Sequence, residues 1–213
     1  PPPPPPLSPP PPPPHPPPTT PRRQRQMCIR DRTNGEAIIV TDVGQHQMVA
    51  CRYANFIHSK SNITSGGLGT MGFALPAAMG AKMGAMNREV VAVIGDGGYQ
   101  MTIQELGTIF QLQIPVKIVI LNNDFLGMVR QWQQLFFDKR YASTEMINPD
   151  FVTIAKGYYL DSERVNDRKD LRPAVERMIK SKKPYVLEIC VEKEDNVFPM
   201  IPSGASVSDV RLS

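Results

Sequence analysis

Val90-Val91-Ala92-Val93-Ile94-Gly95-Asp96-Gly97-Gly98 is a β-branched apolar run that stops at a glycine-rich turn carrying one carboxylate. Every position of the run is apolar, not every second one. That pattern belongs to a strand covered on both faces, as in a parallel sheet. Three further runs read the same way: Ala37 to Thr41, Val116 to Leu121 and Tyr185 to Val191. The segments Phe73 to Met86, Thr102 to Leu112, Met128 to Phe136 and Leu171 to Ile179 read as helices. In the second of these, Ile103, Leu106, Ile109 and Phe110 fall on one face. Strands alternating with helices predict an α/β, doubly wound, mostly parallel sheet with helices on both faces and right-handed crossovers.

Such sheets bind ligands at the carboxyl ends of their strands. Here those ends read Asp42-Val43-Gly44-Gln45-His46, Gly95-Asp96-Gly97-Gly98 and Asn122-Asn123. Glycines allow tight turns and close backbone approach, and a helix starting near Thr102 is expected to aim its positive end at a phosphate. Asp96 adds a hard oxygen ligand suited to Mg²⁺. Taken singly, each motif also reads as a simple turn. Together, on neighbouring strands, Asp96 and Asn123 can face one ion. A dinucleotide-binding domain is the weaker alternative, because no G-x-G-x-x-G follows the first strand.

The sequence has 213 residues, a formal net charge of +4 and 23 prolines, most of them between Pro1 and Pro21. Arg22, Arg23, Arg25, Arg30 and Arg32 carry the basic excess, so the charge argues against a nucleic-acid partner. Polyproline favours an extended solvated helix, an SH3-type ligand or a linker. Met27 to Arg32 also resembles a translated sequencing adapter. Residues 1–32 are therefore expected to be a disordered, artefactual Pro-rich segment, with the true frame running upstream of Thr33. Residues 33–213 are expected to form one domain with a C-terminal tail. Cys28, Cys51 and Cys190 form neither a disulfide framework nor a zinc site, which fits a reducing compartment. No apolar run approaches the roughly 20 residues of a membrane span, and no signal peptide is visible.

The Gly-Asp-Gly turn, the spacer and Asn122-Asn123 together resemble the thiamine-diphosphate signature. Gly44-Gln45-His46-Gln47-Met48, Thr64 to Gly72 and Leu126 to Gln133 resemble acetolactate synthase, catalytic large subunit. The resemblance runs from about Ile38 to the C-terminus. It includes Phe198-Pro199-Met200-Ile201-Pro202, which in that family helps close the active site. The resemblance implies Mg²⁺ held by Asp96, Asn123 and the backbone carbonyl of Phe125. It implies phosphate contacts from Gly97 and Gly98, and places Gly44, Gln45 and His46 at the diphosphate. Gly69 would accept a hydrogen bond from the aminopyrimidine, Met71 would bend the cofactor, and Leu126, Gly127 and Met128 would line its pocket. Met128 and Trp132 would face the substrate channel.

The implied reaction condenses two 2-ketoacids with loss of CO2, pyruvate with pyruvate or with 2-ketobutyrate, in branched-chain amino-acid biosynthesis. Implied partners are FAD, a regulatory small subunit and a second copy of the chain, as a homodimer or larger homo-oligomer. In the family, a glutamate from the pyrimidine-binding domain of a partner subunit activates the cofactor. No residue here matches it, so the sequence as given is expected to bind cofactor weakly and not to turn over. Cytoplasm is the default location, with a plastid open if a transit peptide preceded the sequence.

Plainer readings compete at single residues. His46 also reads as a surface-loop or helix-cap residue, Met71 as core filler and Trp132 as a packed core or interface tryptophan. Arg130, Lys139 and Arg140 read as solvated charges, and Glu176 and Arg177 as exposed helix residues. At the level of function, the alternatives are another thiamine-diphosphate ketoacid decarboxylase, oxidase or carboligase, and a non-catalytic binding module. The Gly127 to Gln133 segment counts against the first.

Overall fold

The computed structural model describes residues 29, 31–202 and 204–212. The proline run, its expected disorder and Cys28 lie outside the described residues. In chain order the elements are β1 (Ile38–Thr41), α1 (Gln45–Tyr53), β2 (Asn62–Thr64), α2 (Ala74–Gly84), β3 (Val90–Gly95), α3 (Asp96–Met101) and α4 (Glu105–Leu112). There follow β4 (Lys117–Asn122), α5 (Gly127–Phe136), α6 (Phe151–Gly157), β5 (Asp161–Val165), α7 (Arg168–Lys180) and β6 (Tyr185–Cys190).

The strands form one six-stranded sheet in the order β2-β1-β3-β4-β6-β5. Every pairing is parallel. Successive side chains point to opposite faces, and both faces are covered. Ile38, Val40, Ala92, Ile94, Ile118 and Ile120 pack with Leu75 of α2, Leu106 and Ile109 of α4 and Phe151 of α6. Ile39, Val91, Val93, Val119 and Leu187 pack with Leu171, Ala174, Val175 and Met178 of α7. Those four recur at helical spacing, which turns one stripe of α7 onto the sheet. Each such fully buried aliphatic side chain contributes about 1.5–3 kcal/mol relative to exposure. The continuous apolar runs are thus the expected signature of a sheet enclosed between helix layers.

One helix departs from the expectation. The helix read as starting at Thr102 begins at Asp96, directly off β3, and breaks at Thr102 before α4 resumes at Glu105. At the break the Thr102 hydroxyl donates to the Gly72 carbonyl at 3.1 Å, which ties the turn to the loop before α2. Phe110, expected on the buried face, is 39% exposed and lies against the Tyr159 ring. The polar elements α1, β2 and β5 were not anticipated, nor was the short α6, whose Phe151 and Ala155 are buried in the core. Both β2 and β5 are edge strands with polar sequences, Asn62-Ile63-Thr64 and Asp161-Ser162-Glu163-Arg164-Val165, as suits strands open on one side.

Packing also begins upstream of the boundary expected at Thr33. Ile29 is 2% exposed within the α7-side core. Its carbonyl accepts from the Thr33 hydroxyl at 2.9 Å, and Arg32 pairs with Glu176 of α7. Arg177 stays exposed and pairs with Glu163.

Candidate functional site

Strand order fixes where the site lies. From β1 the chain goes outward to β2, then returns across β1 to β3. The loops after β1 and β3 therefore part in opposite directions, which opens a crevice at the carboxyl ends. Gly95 of β3 pairs with Leu121 of β4 in register, so the next strand end closes the other wall. The crevice is lined by Gly44, Gln45 and His46 after β1, Met71 in the loop after β2, Asp96 and Gly98 after β3, and Asn123, Phe125, Leu126, Gly127 and Met128 after β4. Three motifs distant in sequence thus converge on one cavity.

Three helices start there: α1 with Gly44 as N-cap, α3 with Gly95 and α5 with Leu126, and none has a side-chain cap hydrogen bond. Asp150 and Asp167 cap α6 and α7, while α2 and α4, like the three at the crevice, have no side-chain cap. Uncapped N-termini leave backbone N–H donors and a partial positive charge, a donor set that fits phosphate oxygens. The glycines answer to close packing. A Cβ on Gly97 would sit 2.5 Å from Leu126 Cδ2 and 3.2 Å from Met146 Sδ. A Cβ on Gly98 would collide with the Asp42 carboxylate. His46, 9% exposed, lies in α1 and not in a surface loop; its imidazole fills the space beside Gly44 and Gly95.

Asp96 is 1% exposed. Burial, above all, pushes its carboxyl up to about 6, with a smaller push from the nearby Asp124. Its partners are neutral: Asn148 Nδ2 donates to Oδ2 at 2.8 Å and the Gly97 N–H to Oδ1 at 3.1 Å. The same Asn148 amide nitrogen reaches Asn122 Oδ1 at 2.9 Å and Asp124 Oδ1 at 3.2 Å. Gln100 donates to Asn148 Oδ1 at 2.9 Å. A buried carboxylate without an ion pair is destabilising, and a divalent cation would offset that. Among the described residues no group of three or more His, Cys, Asp or Glu side chains gathers to hold a metal. A hard cation beside Asp96 would then complete its shell with amide and backbone carbonyl oxygens and phosphate, which Asn123, the Phe125 carbonyl and a diphosphate can supply. The residues present fit a Mg²⁺–diphosphate group.

Some expected residues stand apart. Gly97 lies beneath the crevice, packed against Leu126 and Met71. Gly69, with φ of +64°, lies in the exposed loop before α2, near Val43. Trp132 is 43% exposed, one turn beyond Met128 and edge-on to Phe136. Arg130, read as a solvated charge, is 1% exposed; its guanidinium lies over the Phe125 and Tyr141 rings at 5.5 and 5.4 Å. Stacking on two rings, donation to Gln134 Oε1 at 3.2 Å and to Asn196 Oδ1 at 3.5 Å, and Glu194 at 3.9 Å together make the burial of that cation tolerable. Lys139 and Arg140 are exposed, as expected.

Sequence reasoning missed Asp42, Asn148 and Gln131. Asp42 is 0% exposed and accepts from the Gly72 and Ala74 N–H groups at 3.1 and 3.0 Å, which fixes the loop that carries Met71. Burial raises its carboxyl, against those backbone donors. Its place beside Val43 and Gly44 was the one available signal.

The family described as "Thiamine pyrophosphate enzyme, C-terminal TPP binding domain" matches residues 42–189. The chain is 44% identical to the acetolactate synthase isozyme 2 large subunit of Escherichia coli K12, over 85% of this chain and 33% of that protein. It is 44% identical to the chloroplastic acetolactate synthase 1 of Oryza sativa subsp. japonica, over 84% and 29% respectively. A solved structure, a thiamine diphosphate-dependent 4-hydroxybenzoylformate decarboxylase of Rhodococcus jostii RHA1, superposes with a TM-score of 0.74 at 27% identity. It covers 82% of this chain and 33% of that one. The chain spans about a third of the length of the curated relatives it matches.

Proposed function

This chain belongs to the thiamine pyrophosphate enzymes, as their C-terminal TPP-binding domain, and from that premise we propose that it is the diphosphate-binding part of an acetolactate synthase large subunit. The observation that carries the cofactor reading is the crevice, where three uncapped helix N-termini meet a buried carboxylate. The choice among thiamine-diphosphate enzymes rests on Leu126 to Gln133 and on the relatives named above.

Asp96, Asn123 and the Phe125 carbonyl would hold Mg²⁺, and the N-termini of α1, α3 and α5 would hold the diphosphate. When bound, the cofactor would supply the carbon nucleophile and electron sink that 2-ketoacid decarboxylation needs. The chain itself provides position and electrostatics. Asp42 fixes the loop that presents Met71 to the cofactor, while Leu126, Gly127 and Met128 form a wall that keeps water from the reacting carbon. Gly69 would accept from the aminopyrimidine, and Trp132, beyond Met128, would face the incoming second ketoacid. Pyruvate and 2-ketobutyrate are the substrates, and the activating glutamate comes from a second domain across a subunit interface. FAD and a regulatory small subunit belong to the complete enzyme. Among the described residues no helix is long and apolar enough to cross a membrane.

The test is a product assay with pyruvate on the complete enzyme and on this chain alone. The complete enzyme should form acetolactate, and Asp96→Ala should abolish its Mg²⁺-dependent cofactor binding. Acetaldehyde or acetate as the product would transfer the chain to another thiamine-diphosphate activity. Steady acetolactate formation by this chain alone would remove the need for a glutamate from elsewhere.

A further inference from the structure

The segment after β6 is fastened across the helices that begin at the crevice, with the fully buried Gln131 at the centre of that attachment and Gln45, Arg52, Arg130 and Gln134 bonding it on either side. Gln131 is 0% exposed on α5, one turn past Gly127. Its Oε1 accepts from Gln45 Nε2 at 2.8 Å and from the Val197 N–H at 3.0 Å. Its Nε2 donates to the Val197 carbonyl at 3.1 Å, with Met200 Sδ at 3.3 Å. A primary amide has two acceptor sites and two donors, and all four are engaged. Gln131 therefore pairs with Val197 as a neighbouring strand residue would, while holding a side chain of the cofactor crevice. Gln45 Nε2 also reaches the Asp195 carbonyl at 3.1 Å. From the far end of α1, Arg52 donates to the successive carbonyls of Phe198 and Pro199 at 2.7 and 2.8 Å.

We propose that Gln131 is a positioning residue that clasps residues 195–200 across α1 and α5 and thereby sets Gln45 in the crevice, so that a docked tail and a bound cofactor favour each other. The coupling rests on the cofactor reading given above; the clasp does not. Leucine in place of Gln131 offers neither donor nor acceptor, and glutamate keeps the acceptors but loses both donors. Linkage is reciprocal, so the factor by which the tail strengthens cofactor binding equals the factor by which cofactor strengthens tail docking.

The experiment is hydrogen exchange of the 195–202 segment in the full chain, with and without Mg²⁺ and thiamine diphosphate, alongside calorimetric titration of thiamine diphosphate. It compares wild type with Gln131→Leu and with Val197→Pro, which removes the tail donor and leaves α5 untouched. Without cofactor, both variants should exchange the segment about tenfold faster, at the low end of the usual coupling range, with β3 and β4 amides unchanged. Both should bind thiamine diphosphate more weakly by a similar factor, and cofactor should slow tail exchange in wild type only. Unchanged tail exchange in both variants overturns the clasp. A loosened tail with unchanged cofactor affinity overturns the coupling. A wild-type chain that binds no cofactor while the variant tails still loosen refutes the cofactor reading and the coupling with it, and supports the clasp.

Discussion

Asp96→Asn should make the metal-free protein more stable at neutral pH while removing its affinity for Mg²⁺. The Asp96 carboxyl titrates near 6 in the fold against an ordinary 3.8. Between those values the native state holds a proton that the unfolded chain has released. Stability therefore falls as pH rises through that window, and the full penalty is present above about pH 7. At about 1.4 kcal/mol per pH unit, the gap corresponds to a penalty of about 3 kcal/mol. Asparagine removes the charge, keeps an acceptor for Asn148 and gives up the bond from the Gly97 N–H, which offsets about 1 kcal/mol. The net gain is about 2 kcal/mol, or roughly 4–8 °C in Tm for a domain of this size. The assay is thermal unfolding without metal at pH 4 and pH 8. The variant should melt higher at pH 8 and lose that advantage at pH 4. Adding Mg²⁺ and thiamine diphosphate should reverse the order at pH 8, because only the wild type gains from ligand binding. A variant less stable than wild type at pH 8 without metal, or a difference independent of pH, would refute the argument that this carboxylate is held at a cost until a cation arrives.

Two further substitutions test the packing around the site. Gly97→Ala places a methyl against Leu126 Cδ2 and Met146 Sδ and should destabilise by about 1–3 kcal/mol; unchanged chemical denaturation would contradict the close approach. Tyr99 is 0% exposed, and its hydroxyl has no hydrogen-bond partner among the described residues. Tyr99→Phe should therefore be neutral or stabilising by up to about 1 kcal/mol, whereas a clear loss in the same denaturation would reveal a hidden partner for that hydroxyl.

The sheet and the crevice were legible because their information is local. Val90 to Ile94 is apolar at every position, and the turn that ends it carries the buried Asp96 carboxylate. Reading each strand end in turn placed Asp96 and Asn123 at one cavity before the register of β3 and β4 was known. What the sequence hid has distant or compensating causes. The Asn148 amide meets Asp96 across 52 residues, and no spacing rule announces that contact. The α1 helix begins Gln45-His46-Gln47 and looks solvated, yet Gln45 and His46 are buried because the crevice, not the apolar core, encloses them. Arg130 looked solvated as well, since the two rings that shelter it come from Phe125 and from Tyr141 on a following loop. The edge strands β2 and β5 were missed because an edge needs no continuous apolar run.

We propose that the crevice between β1, β3 and β4 takes Mg²⁺ and a diphosphate. The most direct measurement is a backbone amide NMR titration of the chain with thiamine diphosphate in the presence of Mg²⁺, with thiamine alone and Mg²⁺ alone as controls. The Gly44, Gly97, Gly98 and Gly127 amides should shift together and saturably only when Mg²⁺ and the diphosphate are both present. Shifts confined to other parts of the sheet, or identical shifts with thiamine lacking its diphosphate, would contradict the assignment.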